Sequence, residues 1–372
     1  MTAPLILLTA GGTGGHLFPA EALANSLRQA GARVALATDK RANAFAGAFP
    51  ADEIVEIPSA TPSGRSIPQM IGAAFRLGRG TLVAIPALRR LKPAVVVGFG
   101  GYPTVPPLVA AALLGIPTAI HEANGVMGRA NRLLATRAAL VATGFADIKG
   151  LPARLRGRVV QTGNPIRPAV TAAAKIPFQA PCPEERFNLL VTGGSQGARV
   201  MSDVVPAAIA LLSPAELSRL MIVQQARGED LARVRDRYSQ LGVTFEAEPF
   251  FKDLPHRIAE AHLVIARSGA STVAELAVIG RPSILVPLPG AIDQDQAANA
   301  KVLGDLGAAI VLPQVAFTPE RLADELRKAL ASPQNLTVAA RAAHSAAITD
   351  AAERLAQAVL ALVSSHANGT PS

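Results

Sequence analysis

Short apolar runs recur along the chain, each followed by small residues and then by a stretch with helical spacing. Leu5-Ile6-Leu7-Leu8 is the first, and residues 33–37, 95–98, 118–121, 140–143 and 159–162 continue the series. A second series runs through residues 189–192, 221–225, 263–266, 283–287 and 309–312. Apolar runs that alternate with helical segments predict buried parallel strands wound by helices on both faces. The pattern thus predicts an α/β protein with two doubly wound parallel sheets, and 372 residues suffice for two ordinary domains. Two prolines follow a strand end in Gly163-Asn164-Pro165-Ile166-Arg167-Pro168, which puts the boundary there. The domains then span residues 1–166 and 167–347. A last helical stretch within 348–363 is expected to pack back on the first domain, and 364–372 reads as a disordered tail.

One passage occurs twice. Leu8-Thr9-Ala10-Gly11-Gly12-Thr13-Gly14-Gly15 returns as Leu190-Val191-Thr192-Gly193-Gly194-Ser195-Gln196-Gly197, displaced by 182 residues. In the first copy a helix with proline in its opening turn is predicted from Pro19. A glycine-rich turn from strand to helix exposes unpaired N–H groups, which favours phosphate or diphosphate. The same glycines also serve tight strand–helix packing. No register of Gly11, Gly12, Gly14 and Gly15 yields the dinucleotide fingerprint G-x-G-x-x-G. Ligands of open α/β sheets bind beyond the carboxyl ends of the strands, so two facing copies would share one site in the cleft between domains.

Composition narrows the setting. With 50% hydrophobic and 17% charged residues the chain can bury large cores and is not disordered. A single cysteine, Cys182, excludes an internal disulfide and a cysteine-based zinc site, in keeping with a reducing, cytoplasmic compartment. Residues 1–20 carry no basic segment before a signal-type apolar core, so no export signal is expected. Residues 94–120 hold no charge, but Pro103, Pro106, Pro107 and Pro117 interrupt them, which predicts strand, loop and helix rather than a membrane span.

Charge is uneven. Residues 1–166 hold 17 Lys and Arg against 7 Asp and Glu, whereas 167–372 hold 19 against 20. A basic half beside a neutral half points to an anionic surface. Scattered aromatics and the lack of a nucleic-acid motif favour a membrane surface over nucleic acid. Residues 67–92 mix Ile71, Phe75, Leu82 and Ile85 with Arg76, Arg79, Arg89, Arg90 and Lys92. That mixture suits either a helix on its sheet with a solvated basic face or an apolar patch rimmed by cations that rests on anionic lipid.

Three further strand ends carry polar groups. Residues 266–275 form a strand end, a small-residue turn and a helix start, in which Thr272-Val273-Ala274-Glu275 fits a capping box. The alternative is that the small residues admit a ligand while Glu275 accepts from a sugar diol. Asp293-Gln294-Asp295-Gln296 either fixes hydroxyls or forms a solvated loop. His121-Glu122 reads as a structural pair before it reads as a catalytic one.

Taken together, GGTGGHLFPA (11–20), GFGGYPTVP (98–106), HEANG (121–125), GNPIR (163–167), TGGSQGAR (192–199), SGASTVAE (268–275) and DQDQAANA (293–300) resemble the MurG family of peptidoglycan N-acetylglucosaminyltransferases. Order and spacing agree over nearly the whole chain. Ala123 stands where the family often has Gln, and Asp295 where it has an amide or His. The resemblance implies the glycosyltransferase B architecture, two Rossmann-like domains facing across a cleft. It also implies inverting transfer of GlcNAc from UDP-GlcNAc to the C4 hydroxyl of MurNAc-pentapeptide on undecaprenyl diphosphate, converting lipid I to lipid II. Carried over by motif, Ala270, Ser271, Thr272, Val273, Ala274 and Glu275 would hold ribose and diphosphate, with the Glu275 carboxylate on the ribose. Phe251 would meet the uracil through its backbone. Ser195 and Arg167 would face the diphosphate, and Asn124 and Gln296 would bind GlcNAc. Thr13, Gly14 and Gly15 would close the donor site, and His16 would take the acceptor proton, as an imidazole titrating near 6.5 can. No metal or cofactor is implied, because helix N-termini and Arg167 can neutralise the leaving UDP. The implied location is peripheral, on the cytoplasmic face of the inner membrane, with a cell-wall synthesis and division complex as a further partner. A non-hydrolysing UDP-GlcNAc epimerase would share fold and donor. A nicotinamide oxidoreductase would need Asp39 on its ribose, and a membrane-associated scaffold would explain only the charge.

Overall fold

The structure is a computed structural model describing residues 3–11, 14–39, 49–59, 67–182, 184–194, 197–290 and 295–367. The chain divides into two compact units, residues 1–167 with 350–372, and residues 168–349.

The first unit runs β1 (Leu5–Thr9), α1 (Gly14–Gln29), β2 (Arg33–Thr38), β3 (Glu53–Glu56), α2 (Ile67–Leu91), β4 (Val95–Gly98), α3 (Val105–Leu113), β5 (Thr118–Glu122), α4 (Arg129–Leu134), β6 (Leu140–Thr143) and β7 (Val159–Gln161). Its seven strands lie in the order β3-β2-β1-β4-β5-β6-β7, and every pairing is parallel. The order reverses between β1 and β4, which makes the carboxyl ends of that pair the place for a ligand. One face of the sheet buries Ile6, Leu8, Val34, Leu36, Val95 and Val97 with Leu23 and Leu27 of α1. The C-terminal helix Ala351–Ala367 adds Leu355, Ala356 and Val359 to the same core. The other face buries Leu7, Val96 and Ile120 beneath α2 and α3.

Helix α1 begins at Gly14, so Pro19 is its sixth residue and not part of its first turn. A proline there has no N–H for the Gly15 carbonyl, so the helix lacks that backbone bond. The early start puts His16 in the first helical turn.

Helix α2 is long and apolar enough, by length and composition, to cross a membrane from Ile71 to Leu91. It is nonetheless part of this unit: Ala73, Ala84 and Leu88 are buried, with Ala84 and Leu88 in the core shared with α3. Its outward side exposes Ile71 (64%), Phe75 (75%) and Leu82 (71%). The charge-free stretch after it forms β4, a 3-10 turn at Tyr102–Thr104, α3 and β5.

The second unit continues with α5 (Pro168–Ala173), β8 (Phe187–Thr192), α6 (Arg199–Ile209), α7 (Pro214–Arg219), β9 (Leu220–Gln225), α8 (Gly228–Leu241), β10 (Thr244–Glu248) and α9 (Leu254–Glu260). Then follow β11 (Leu263–Ala266), α10 (Ala270–Ile279), β12 (Ser283–Leu285), α11 (Asp295–Asp305), β13 (Ala309–Val311), α12 (Pro319–Ala331) and α13 (Pro333–Ser345). Six parallel strands take the order β10-β9-β8-β11-β12-β13, with the reversal between β8 and β11. Arg281 is fully buried and, among the described residues, meets no carboxylate, donating instead to the carbonyls of Ala259, Ile279, Gly280 and Ile176. Burial lowers its pKa to about 10, which still leaves it charged at neutral pH.

Candidate active site

In the first unit the reversal point between β1 and β4 is occupied by His16. Gly100 and Gly101 follow β4 with φ of 83° and 74°, conformations that disfavour a side chain. A Cβ on Gly100 would lie 3.5 Å from His16 Cε1, and one on Gly101 would lie 3.4 Å from His16 Nε2. The imidazole therefore rests against bare backbone, half-buried, at the carboxyl ends of two strands.

Strand β5 supplies the next layer. His121 is fully buried beside Phe99, and its Nε2 lies 3.0 Å from the Gly163 carbonyl oxygen. Burial, with a smaller contribution from the nearby His16, drives its pKa down to about 4. The ring is neutral, and Nε2 carries the proton that it donates. Glu122 accepts from Asn124 N at 3.0 Å, Gly128 N at 2.9 Å and Asn131 Nδ2 at 2.8 Å. Burial pushes its carboxyl pKa up, and the donors pull it back. With its oxygens engaged by residues 124–131, Glu122 organises the loop that presents Asn124. Asn164 Nδ2 donates to the Ala123 carbonyl at 3.0 Å, so the segment before Arg167 is tied to the same loop. Arg167 itself lies with its guanidinium carbon 4.0 Å from the centre of the Phe18 ring.

In the second unit the reversal point is framed by residues 192–194, 197–198 and 266–270. Gln225, at the end of β9, accepts from Thr192 Oγ1 at 2.8 Å and Gly193 N at 3.2 Å. Its Nε2 donates to the carbonyls of Gly194 at 3.0 Å and Pro249 at 3.2 Å. One carboxamide thus fixes the second glycine-rich loop and the segment leading to Phe251. The Phe251 ring is buried under the Arg257 guanidinium, 4.3 Å from its centre.

Residues 270–275 form the start of α10. The helix is capped by Gly269 with no side-chain capping bond, so the capping box expected at Thr272–Glu275 is absent: Thr272 is the third helical residue. Glu275 lies in the second turn, 8% exposed. Ser268 Oγ donates to the Gln296 carbonyl at 2.8 Å, and Gln296 Oε1 accepts from Leu288 N at 3.0 Å. These bonds bring α11 to the α10 start and leave the Gln296 amide N–H groups as its donors. Arg267 is held by Val286 O, Pro287 O and Gln314 Oε1, a structural clamp on the end of β12.

The structure gathers Gly14, Gly15, His16, Asn124 and Arg167 at strand ends of the first unit, and 270–275, Gln296 and Phe251 at those of the second. Thr13 and Ser195 lie outside the described residues. Sequence reasoning missed Asn131 and Gln225. Nothing near Asn131 signals its bond to Glu122, whereas the polar pair Gln224-Gln225 closing an apolar strand is a usable sign. Asp39 is 6% exposed and accepts from Ser59 Oγ at 3.4 Å. Among the described residues no group of three His, Cys, Asp or Glu could hold a metal ion.

Comparison with known proteins identifies the family. Residues 6–143 match the glycosyltransferase family 28 N-terminal domain and 188–355 its C-terminal domain. The chain is 63% identical, over 359 residues and 96% of each protein, to the UDP-N-acetylglucosamine--N-acetylmuramyl-(pentapeptide) pyrophosphoryl-undecaprenol N-acetylglucosamine transferase of Methylobacterium sp. (strain 4-46). The crystal structure of Acinetobacter baumannii MurG superposes with a TM-score of 0.76 at 31% identity, covering 96% of this chain and 99% of that one. A UDP-GlcNAc 2-epimerase from Neisseria meningitidis gives a TM-score of 0.64 at 12% identity, over 96% of this chain and 100% of its own. At that identity the likeness concerns the fold alone.

Proposed function

Since the chain belongs to the MurG family of family 28 glycosyltransferases, we propose how its own residues carry out the reaction that membership brings. The protein is an N-acetylglucosaminyltransferase of peptidoglycan synthesis, using UDP-GlcNAc as donor and lipid I as acceptor to form lipid II. Near-full-length identity to the Methylobacterium transferase carries this reading over the epimerase alternative, which rests on fold and shared donor.

His16 takes the proton of the acceptor C4 hydroxyl as its oxygen attacks C1 of GlcNAc. The C1–O bond to diphosphate breaks, UDP leaves with the bonding pair, and the anomeric centre inverts. Arg167 and the N–H groups without helical acceptors at the start of α10 offset the charge that develops on the diphosphate. Glu275 accepts from the ribose hydroxyls, the Phe251 backbone meets the uracil, and Asn124 and Gln296 hold the sugar. Gly14 and Gly15, in the first turn of α1, offer N–H groups with no helical acceptor. Thr13 and Ser195 complete the donor site on motif grounds.

Charge and α2 support a peripheral membrane location. Exposed Ile71, Phe75 and Leu82 stand among exposed Arg76, Arg79 and Arg89, a combination that suits the anionic cytoplasmic face of the inner membrane. A peripheral position gives access to a lipid-borne acceptor and to partners in a cell-wall synthesis complex.

The test is product formation. Label from UDP-GlcNAc should enter a butanol-extractable lipid only when lipid I is supplied, without added nicotinamide. UDP-ManNAc formed without lipid would make the protein an epimerase instead.

A further inference from the structure

The ring of Phe18 joins the start of α1 to Arg167. A Cβ on Gly14 would come within 2.8 Å of Phe18 Cε2. The ring is therefore turned back onto the bare Cα one turn earlier, the direction that long helical side chains take. The same ring carries the Arg167 guanidinium, whose carbon is 4.0 Å from the ring centre, well inside the range of cation–π attraction. Glu21, three residues on, feels the Arg167 charge, which lowers a carboxyl pKa that burial raises by more. The backbone before Arg167 is fixed independently, by the His121–Gly163 and Asn164–Ala123 hydrogen bonds.

We propose that Phe18 is a positioning residue for the transfer: seated on Gly14, its ring is the platform that holds the Arg167 guanidinium ready for the donor diphosphate. Arginine on its own has many rotamers, and ordering it only on binding would cost affinity. A platform orders it beforehand. The identity of residue 14 then has a second cause, since any side chain there would unseat the ring. His16 and Phe18 lie two residues apart on one helical turn, so proton acceptor and diphosphate cation are set by a single rigid piece. The proposal rests on the reading of Arg167 as the diphosphate cation.

The experiment is a double-mutant cycle on the full chain, with steady-state kinetics, inhibition by UDP and thermal unfolding. Phe18→Leu keeps an apolar side chain and removes the π face, Phe18→Tyr keeps the face, and Arg167→Gln removes the cation. Phe18→Leu should raise KM for UDP-GlcNAc and Ki for UDP roughly three- to tenfold, leaving KM for lipid I near its starting value. Phe18→Tyr should restore both, and in the Arg167→Gln background Phe18→Leu should add nothing. Phe18→Met makes the same comparison where leucine lowers Tm. Independently of activity, Gly14→Ala should lower Tm less in the Phe18→Leu background than in the parent. An equal effect of Phe18→Leu with and without Arg167 would overturn the platform, as would wild-type KM and Ki while Arg167→Gln raises both. If Arg167→Gln changes neither constant, the reading of Arg167 fails and takes the proposal with it.

Discussion

The Nε2 of His121 donates to the carbonyl oxygen of Gly163 across 3.0 Å, tying the end of β5 to the segment that leads into Arg167. Only a neutral ring suits this burial, and the free energy held there depends on pH. An unfolded imidazole titrates near 6.5 and the buried one at about 4. The contribution is complete above pH 6.5 and is lost as pH falls toward 4, amounting to about 3 kcal/mol. Glu122, whose pKa burial raises, acts with the opposite sign. The informative quantity is therefore the difference between parent and His121→Gln, which keeps an N–H donor and cannot titrate. Urea unfolding at pH 7 and pH 4.5 should show a smaller loss for the variant, and equal losses would acquit His121.

Replacing His16 by alanine removes the base while leaving the residues assigned to the donor in place. Turnover should fall by roughly 10²–10⁴ with donor affinity little changed. Glu122 is a poor substitute, because its oxygens are already engaged by Asn124, Gly128 and Asn131. A variant with near-normal turnover would move the base role to a bound water.

Glu275 does not cap α10, so its carboxylate is not needed to start the helix. Glu275→Gln should leave Tm near the parent value. An amide accepts through one oxygen and presents an unwanted donor to the ribose, so kcat/KM for UDP-GlcNAc should drop by about 1.5–3 kcal/mol, roughly ten- to more than a hundredfold. Unchanged kinetics would take the ribose away from this residue.

On α2, the apolar outward side chains and the arginines make separable contributions. Co-sedimentation with vesicles should rise with anionic lipid and fall with salt, at about 1 kcal/mol per basic residue near the surface. Replacing Phe75 and Leu82 by serine should weaken binding while sparing turnover of detergent-dispersed lipid I. Binding indifferent to both lipid charge and salt would leave α2 an ordinary surface helix.

The strands that were legible in the sequence are those that carry a short apolar run, most of them in the middle of their sheets. β3 and β10 were not foreseen. Each lies at one edge of its sheet, where EIVE and TFEAE flank or break the apolar run with acids, whereas the opposite edge strands β7 and β13 keep a short apolar run and were legible. The site was readable to the extent that a parallel sheet gathers its ligand groups in the turns after the strands, each a short local motif. What escaped was long-range: Asn131 meets Glu122 from α4, and Gln225 meets Thr192 from the neighbouring strand. The false capping box at Thr272 had a local cause. Gly269 already starts the helix, and a threonine followed by a glutamate three residues on occurs inside helices as well as at their ends.

The return of the C-terminal helix to the first unit has a consequence for biosynthesis. Leu355, Ala356 and Val359 complete a core whose strands are made before residue 168. The whole of the second unit emerges from the ribosome between those two halves. It can close as soon as residue 349 is free, whereas the first unit waits with a bare apolar face on its sheet. Premature termination between the second unit and Leu355 would therefore yield a finished second unit attached to an unfinished first unit, a chain that exposes Leu23 and Leu27 to chaperones rather than to its own last helix.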